Sequence, residues 1–419
     1  MTERVITDER SLSDYTAVVG EECLEELRVL AEPFNRAKVL HINATAAGGG
    51  VAEILRSFVP LMCDLGINAE WHVLRGADEF YEVTKTMHNG LQGMQVPLTP
   101  DMKKIWVEYN SLNADFLSTN GNYDFVVAHD PQAAGLLKLL RDSNGHRKIG
   151  PWIWRCHIDL TAPQPDFWEF LRPYVEVHDA AIFSKSEYFP EDLLGPQCFD
   201  IPPAIDPLSV KNHLLLNDEE VRSVLIRYGI DPDRPFIFKV SRFDPWKDFC
   251  GIIDVYDLVR KEVPEVQLVL AGGGAGDDPE AWSCYQQVSA YAKDKGDIHI
   301  LWGDNGIVSP ELNAFHQAAS VVVQKSIREG FGLVVSEALW KRCPVVASDV
   351  GGISIQIAHG ESGYNVGSLN EWVEAITFLL RNKDDAARMG NAGRELVRQR
   401  FLITRLLQDY LKVFRTLPN

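Results

Sequence analysis

The sequence has few basic residues for its length and no long apolar run. Its 41 Lys and Arg residues are outnumbered by 59 Asp and Glu residues, which gives a formal net charge of −18. Binding to nucleic acid or to anionic membranes depends on clustered cations, so this balance argues against both partners. It leaves room for a local basic pocket that holds a small phosphate ligand. No run of roughly 18 apolar residues occurs, and we therefore expect no membrane-spanning segment.

Cysteine is scattered and odd in number, and no two cysteines have C-x-x-C spacing. The seven residues stand at positions 23, 63, 156, 198, 250, 284 and 343. This pattern argues against a disulfide framework and against a zinc site, and it favours a reducing compartment. The N-terminal sequence MTERVITDER has no apolar core of the kind found in secretory signals. We therefore expect a cytoplasmic protein.

Short apolar runs alternate with segments of helical periodicity, which predicts βαβ units and parallel sheets. With 419 residues, 46% of them hydrophobic, the chain can build more than one core. The first series of predicted strands is Val39–Ile42, Trp71–Leu74, Phe125–Ala128, Trp152–Cys156 and Ala180–Ser184. The second series is Phe236–Val240, Val266–Leu270, Ile298–Trp302, Val321–Gln324 and Val345–Ala347, with helices beginning near 248, 279, 310, 333 and 370.

A proline-rich segment at 199–207 separates the two series and is predicted to be a linker, because proline cannot continue a helix or a central strand. The fold class is therefore α/β, with two doubly wound, Rossmann-like domains at 1–203 and 204–397. Ligands of such folds lie at the carboxyl ends of the strands, so we expect the active site in an inter-domain cleft. Residues 1–37 are predicted to be a partly helical N-terminal extension. The pattern at 386–414 predicts a long helical stretch that either caps the second domain or crosses back onto the first.

Three glycines, Gly48, Gly49 and Gly50, stand between a predicted strand and a predicted helix. Backbone N–H groups of such a turn can approach a phosphate, and the start of the helix favours negative charge. The pattern is not G-x-G-x-x-G, and a simple tight turn between strand and helix explains it equally well.

Arg242 and Lys247 follow the predicted strand 236–240 directly, five residues apart. Two cations at the carboxyl end of a central strand suit a diphosphate. The alternative is a surface loop that happens to carry two cations.

The sharpest pattern is Arg-Glu-Gly-Phe-Gly-Leu-Val-Val-Ser-Glu at 328–337. Gly330 and Gly332 allow a tight turn before a helix starting at Leu333, whose unpaired N–H groups would suit an anion. Glu329 and Glu337 flank this helix start, so one carboxylate can hold sugar hydroxyls and the other ribose hydroxyls. The alternative is a tight loop followed by a helix with an exposed Glu.

Two polar pairs end neighbouring predicted strands of the first domain: His129 with Asp130, and His157 with Asp159. Their place at strand ends favours a ligand site, although buried structural histidines remain the alternative. The glycine-rich segment 270–277 lacks the acidic residue of a dinucleotide fingerprint and is better explained as a ligand-lining loop. This argues against a nicotinamide-dependent oxidoreductase.

The segments SRFDPWKD and EGFGLVVSE, in this order and spacing, resemble retaining GT-B glycosyltransferases related to glycogen synthase and sucrose synthase. The hallmarks are the Arg…Lys pair and the E-x7-E element. The segments HINATAAGGGVAEIL, AHDPQ and WRCHIDL are similar to the trehalose-forming branch of that family. The resemblance covers nearly the whole chain. It implies that the final helix, about 398–419, completes the N-terminal, acceptor-binding domain, and it implies a homodimer.

The resemblance also implies residue roles. Arg242, Lys247, Glu329 and His157 would be catalytic, with the two cations on the leaving diphosphate, Glu329 on the donor glucose and His157 near the anomeric carbon. Glu337 would hold the ribose. Further donor-binding residues would be Gly49, Gly50, Gly330, Phe331, Gly332, Leu333 and Val334. Acceptor-binding residues would be His129, Asp130 and Gln132. No metal site is implied, although Mg²⁺ could assist the released nucleotide.

The implied reaction joins glucose from UDP-, ADP- or GDP-glucose to free glucose, forming α,α-trehalose with retention and requiring no cofactor. Free glucose is favoured over glucose 6-phosphate because the first-domain strand ends around 43–50, 129–135 and 155–161 carry no compact Lys/Arg cluster, Arg155 being the one clear cation there. The alternatives are a retaining trehalose phosphorylase, another sugar-nucleotide-dependent retaining glycosyltransferase and a non-hydrolysing epimerase, which should lack E-x7-E. A non-catalytic sugar-nucleotide sensor is disfavoured because all four charged residues of the motifs are intact.

Overall fold

The computed structural model describes residues 2–120, 122–144, 150–213, 215–273, 280–303 and 309–418. The chain forms two compact units: unit 1 joins residues up to Pro203 to the segment from Ile403 onward, and unit 2 covers the described residues from Ala204 to Leu402. The last part of the predicted glycine-rich loop, 274–277, and the predicted helix start at 279 lie outside the described residues.

Unit 1 is built on a seven-stranded sheet in the order β1-β3-β2-β4-β5-β6-β7. Its strands are β1 Glu3–Arg4, β2 Lys38–Asn43, β3 Asn68–Val73, β4 Phe125–His129, β5 Trp152–Arg155, β6 Ala180–Phe183 and β7 Gln197–Asp200. All neighbouring strands are parallel except β1, which pairs antiparallel with β3 at the edge. Every residue of β4, β5 and β6 is buried, as expected for a parallel sheet covered on both faces.

Nine α-helices of the described residues belong to unit 1. They are α1 Thr16–Val19, α2 Glu21–Ala31, α3 Gly50–Asp64, α4 Asp78–Leu91, α5 Pro100–Asn120, α6 Asp130–Ala133, α7 Leu136–Asn144, α8 Pro165–Val175 and α17 Ile403–Thr416. Helix α17 packs on α2 and α3, and the ring of Phe414 stacks on that of Phe125 at 4.4 Å between centroids. The last helix of the sequence is therefore part of the first unit.

Unit 2 has a six-stranded, all-parallel sheet in the order β10-β9-β8-β11-β12-β13. Its strands are β8 Phe236–Val240, β9 Gln267–Gly272, β10 Ile298–Trp302, β11 Val321–Gln324, β12 Val345–Ser348 and β13 Gly363–Val366. Its helices are α9 Val210–His213, α10 Asp218–Arg227, α11 Phe249–Glu262, α12 Ala281–Ala292, α13 Ser309–Ala318, α14 Leu333–Trp340, α15 Leu369–Arg381 and α16 Lys383–Arg400. Both units show the predicted alternation, which confirms the α/β fold class.

Three features differ from the sequence-based expectations. The N-terminal extension supplies a strand of the sheet, β1, and the predicted linker begins inside the edge strand β7. The helical pattern at 386–414 is divided between α16 and α17, and the final helix, expected from about 398, begins at Ile403. The break falls at Phe401, which has φ −130° and whose carbonyl accepts the Ile205 backbone N–H at 2.9 Å. A search of the described helices found none with the length and apolarity needed to cross a membrane.

Candidate functional site

The loop between β8 and α11 carries the predicted cation pair of unit 2. Arg242 is half-buried just beyond β8, and Lys247 lies in a short 3-10 turn. Two aspartates shape the loop: Asp244 accepts the Trp246 backbone N–H at 2.9 Å, and Asp248 caps α11 by accepting the Gly251 N–H at 3.0 Å. These short-range bonds hold the loop at the carboxyl end of a central strand.

Lys247 forms an ion pair with Glu329, the first carboxylate of the E-x7-E element. Its Nζ lies 2.6 Å from Oε2 of Glu329, and both side chains are largely buried. Gln324, at the end of β11, donates to the same oxygen at 3.4 Å. The two motifs that are 82 residues apart in sequence therefore meet at one point.

The glycine turn before α14 leaves the start of that helix open. Gly332 is the N-cap residue, with φ 82°, and no side chain caps the helix. The turn is held from behind by Gln356, whose Nε2 donates to the carbonyl of Phe331 at 2.5 Å. Gly352 supports it closely, since an added Cβ there would lie 2.4 Å from the carbonyl oxygen of Gly330. Leu333 and Val334 form the first turn, whose backbone N–H groups suit an anion.

Glu337 is fully buried, with 0% of its surface exposed. Its Oε1 lies 2.6 Å from Nζ of Lys211, on α9, while Oε2 has no hydrogen-bond partner. Because it is buried, this carboxylate is not open to solvent in the described conformation. Lys211 was missed at the sequence level, since a contact across 126 residues leaves no local pattern.

A third lysine, Lys239, lies on β8, the strand that leads into the loop with Arg242 and Lys247. Its exposure is 0%, and its Nζ donates to the carbonyl of Lys325 at 3.0 Å. Lys325 is in turn ion-paired with Asp248. The sequence signal for this buried cation, which was not used above, is a lysine inside the apolar run Phe-Ile-Phe-Lys-Val.

Lys239 should make stability depend on pH. Burial, and then the charge of Lys247, lower its pKa to about 7, while Asp248 and Glu329 oppose the shift and Lys325 adds to it. An unfolded lysine, with its ordinary pKa of 10.5, binds a proton between about pH 7 and 10.5 that the native lysine lacks. The free energy of unfolding should therefore rise with pH in this window, by at most about 1.4 kcal/mol per pH unit, and this stabilisation is lost as pH falls through about 7.

Urea unfolding of the wild type and Lys239→Met at pH 7 and pH 9 measures this contribution. The wild type should gain stability relative to the variant at the higher pH. A difference between the two proteins that stays constant with pH would contradict the assignment.

In unit 1, the predicted pairs at the ends of β4 and β5 come together. Nδ1 of His129 lies 3.0 Å from Nε2 of His157, and their rings stack at 5.3 Å with an interplanar angle of 14°. Asp130 takes the left-handed conformation, with φ 62°, and its Oδ1 accepts the His157 backbone N–H at 2.7 Å. Gln132 lies on α6, and its buried Oε1 has no hydrogen-bond partner. Asp159 instead accepts the Thr161 N–H at 2.9 Å and shapes its own loop.

The first glycine turn ends as the N-terminus of α3. Gly49 is the N-cap residue and Gly50 begins the helix, again with no side-chain cap. Gly48 has φ 83°, a conformation that explains a glycine at this position. Gly49 has open space where a Cβ would be, so packing does not account for glycine there.

Two residues near these histidines were missed as site candidates. His41, on β2, places Nδ1 at 3.1 Å from Nε2 of His129. Arg155, which the sequence suggested as a strand-end cation, is only 1% exposed and faces a small cavity in unit 1. Among the described residues, no group of three or more His, Cys, Asp or Glu side chains has a metal-binding arrangement, and all seven cysteines are free.

Comparison with known proteins agrees with this architecture. Residues 41–190 match the family described as "Trehalose synthase, N-terminal domain", and residues 223–396 match "Glycosyl transferases group 1". A sucrose-phosphate synthase structure from Thermosynechococcus elongatus has a TM-score of 0.70 and 18% identity, covering 91% of this chain and 99% of that one. Two parallel-sheet units and these matches define the chain as a GT-B glycosyltransferase.

The nearer relatives are more specific. The trehalose synthase of Rubrobacter xylanophilus is 46% identical over 419 residues, covering 100% of this chain and 99% of that protein. The chain belongs to the trehalose synthase family. A trehalose phosphorylase from Pleurotus sajor-caju is more distant, at 29% identity, with the alignment covering 84% of this chain and 54% of that protein.

Proposed function

We propose that this protein is a retaining glucosyltransferase that forms α,α-trehalose from a nucleoside-diphosphate glucose and free glucose. The observation that carries the proposal is the Lys247–Glu329 ion pair at 2.6 Å, formed between the two motifs. It lies beside the uncapped start of α14 and on the same loop as Arg242. A cation for phosphate, a carboxylate for sugar hydroxyls and open N–H donors are the groups that a nucleotide sugar requires.

In the proposed reaction, the bond between the anomeric carbon of the donor glucose and the diphosphate oxygen breaks. The anomeric hydroxyl oxygen of the acceptor forms the new bond from the same face, and its proton passes to the leaving phosphate oxygen. Negative charge grows on the diphosphate as the bond breaks. Arg242, Lys247 and the N–H groups of α14 are placed to stabilise that charge, which is the main source of catalysis in such a step.

The remaining residues are proposed to bind the donor sugar, the ribose and the acceptor. Glu329 holds donor glucose hydroxyls and His157 lies near the anomeric carbon. Glu337 holds the ribose, which requires its buried carboxylate to become accessible when nucleotide binds. Asp130 and Gln132 are the proposed contacts to free glucose. His129 was predicted with them, but its two ring nitrogens both face neighbouring histidines and leave none for the sugar. Mg²⁺ is proposed only as an aid to nucleotide release, and a homodimer remains a prediction.

Free glucose should be the acceptor, with little or no reaction of glucose 6-phosphate. A phosphorylated sugar would need exposed cations beside the proposed acceptor residues, at the ends of β4 and β5, and the cation that ends β5, Arg155, is 1% exposed. Each sugar should be incubated with UDP-, ADP- and GDP-glucose in turn, and the product identified by chromatography and anomeric NMR signals.

Three outcomes of this assay separate the alternatives. Trehalose formed from glucose supports the proposal and reveals the preferred base. Trehalose phosphate formed only from glucose 6-phosphate would overturn the acceptor assignment. Cleavage of trehalose that strictly requires inorganic phosphate would instead identify the protein as a phosphorylase.

A further inference from the structure

Three histidines of unit 1 form an unbroken hydrogen-bonded chain. Nδ1 of His41 lies 3.1 Å from Nε2 of His129, and Nδ1 of His129 lies 3.0 Å from Nε2 of His157. Burial lowers the pKa of His41 to about 3 and holds those of the other two well below the ordinary value, so all three rings are neutral at pH 7. Each neutral ring then carries one N–H donor and one acceptor nitrogen.

Neutral rings in such a chain must all point the same way. If His41 donates from Nδ1, then His129 accepts at Nε2 and donates from Nδ1, and His157 accepts at Nε2 and keeps its proton on Nδ1. In the reverse order, His157 donates from Nε2 and its Nδ1 becomes an acceptor, while His41 carries its proton on Nε2. The two orders therefore present opposite hydrogen-bonding groups at both ends of the chain.

The inner end of the chain faces a cationic cavity. Nε2 of His41 is buried without a hydrogen-bond partner, and its ring lines a cavity of about 10 Å³, which suits a single water molecule. Arg155 lines the same cavity, and none of its three guanidinium nitrogens has a hydrogen-bond partner. Tyr410 also lines the cavity, and a tyrosine hydroxyl can either donate or accept.

A guanidinium group offers only donors and a positive charge. A nitrogen lone pair on His41 is favoured near that charge, whereas an N–H would be repelled by it and would find no acceptor among the arginine nitrogens. One water can accept from Arg155 and donate to His41 only when Nε2 of His41 is unprotonated. His129 and His157 line the same cavity and also feel the charge of Arg155. His157 is partly exposed, however, so solvent can satisfy its Nδ1 in either protonation state, whereas Nε2 of His41 is buried.

We propose that Arg155 is a positioning residue that sets the direction of the His41–His129–His157 chain, so that His157 keeps its proton on Nδ1. His157 then offers a hydrogen-bond donor at its outer edge. This part of the inference rests on the proposed function: the His157 N–H would donate a hydrogen bond to an oxygen of the glucose that is transferred. Arg155, itself buried, would thus act on the reaction through the histidines and not by touching the substrate.

The tautomers can be measured directly in the free protein by ¹⁵N NMR of histidine-labelled enzyme, with signals assigned by single His→Gln variants. Two other buried histidines provide internal references, because Nδ1 of His178 lies 3.1 Å from the carbonyl of Val175 and Nδ1 of His316 lies 2.8 Å from that of Leu312. A carbonyl only accepts, so both references carry the proton on Nδ1. We expect all three chain histidines to match this signature, and an Nε2-protonated His157 would overturn the proposal.

Variants of Arg155 test its part in setting the direction. Arg155→Met, which keeps length without charge, should convert His157 to the Nε2 form or to a mixture, whereas Arg155→Lys should retain the Nδ1 form. If Arg155→Met does not fold, Arg155→Gln makes the same comparison with Arg155→Lys. An unchanged tautomer in the uncharged variant would show that Arg155 does not direct the chain.

Turnover of the Arg155 variants gives a second test that does not depend on the NMR measurement. Arg155→Met should lower glucosyl-transfer turnover about 10-fold through the lost His157 hydrogen bond, while nucleotide affinity stays unchanged and Arg155→Lys restores turnover. An absence of any transfer by the wild type would refute the proposed function, but the tautomer measurement would still decide the present proposal. Equal loss of turnover in the Met and Lys variants would contradict a role through charge.

Discussion

Arg242→Ala and Lys247→Ala should each lower the turnover of glucosyl transfer by about 10²–10³, the usual effect of removing one charge-stabilising group from a dry site. The reason is the charge that grows on the leaving diphosphate. Lys247 is already held in place by its ion pair with Glu329 at 2.6 Å, so little rearrangement is needed to use it. Steady-state kinetics with saturating glucose measures the effect.

Matched controls are available in unit 2. Arg381, at the end of α15, pairs with Glu262 at 3.1 Å on an exposed surface, and Lys295, which follows α12, pairs with Asp257 and, at 3.9 Å, with Asp254. Arg381→Ala and Lys295→Ala should keep near-normal turnover. Thermal unfolding of each variant checks that a loss of activity is not a loss of folding. Near-wild-type rates in Arg242→Ala or Lys247→Ala would remove the diphosphate role.

His157→Ala and Glu337→Gln should affect different quantities. His157→Ala should lower turnover about 10²-fold while leaving nucleotide-diphosphate affinity nearly intact, because most of the proposed phosphate and ribose contacts belong to residues of unit 2. Glu337→Gln should weaken nucleotide binding about 10- to 100-fold through the lost charged hydrogen bond to ribose. Calorimetric titration of UDP and ADP beside a transfer assay separates the two effects.

Because Glu337 is paired with Lys211, the same experiment also tests whether Glu337 has a structural role instead. If Glu337→Gln lowers the unfolding temperature and leaves nucleotide affinity unchanged, the carboxylate is a structural partner of Lys211 and not a ribose ligand. If His157→Ala loses nucleotide affinity as strongly as Glu337→Gln, the proposed separation of roles is wrong. Glu108→Ala, on the exposed side of α5, serves as the control for loss of a carboxylate.

The central strands were predictable because burial on both faces requires unbroken apolar runs, as in Phe125–His129 and Val321–Gln324. Of the edge strands, β10 Ile298–Trp302 was predicted with its observed bounds, whereas β1, β7 and β13 were not. Gln197–Asp200 has no fully buried residue, and Gly363–Val366 contains a glycine and an asparagine, so neither shows a clear strand pattern. Their place in the sheet depends on pairing with a neighbour, which the local sequence does not encode.

In the candidate site, too, only the residues that belong to local motifs were predictable from the sequence. Lys247 and Glu329 belong to recognisable local motifs, and their contact follows from the positions of β8 and β11 as neighbouring strands. Arg155 looked like an accessible cation from its place at a strand end. Its register with His129 places both side chains on one face of the sheet, and only the packing of α3 and α17 over that face explains its burial.

The membership of α17 in unit 1 has a consequence for synthesis of the protein. Helix α17 buries Leu407, Tyr410 and Phe414 against elements made hundreds of residues earlier. On the ribosome, unit 2 can complete its contacts before residues 403–416 emerge, whereas unit 1 must wait with an apolar face uncovered. Unit 1 is thus begun first and completed only when α17 has emerged, so its exposure to chaperones should last through the synthesis of unit 2.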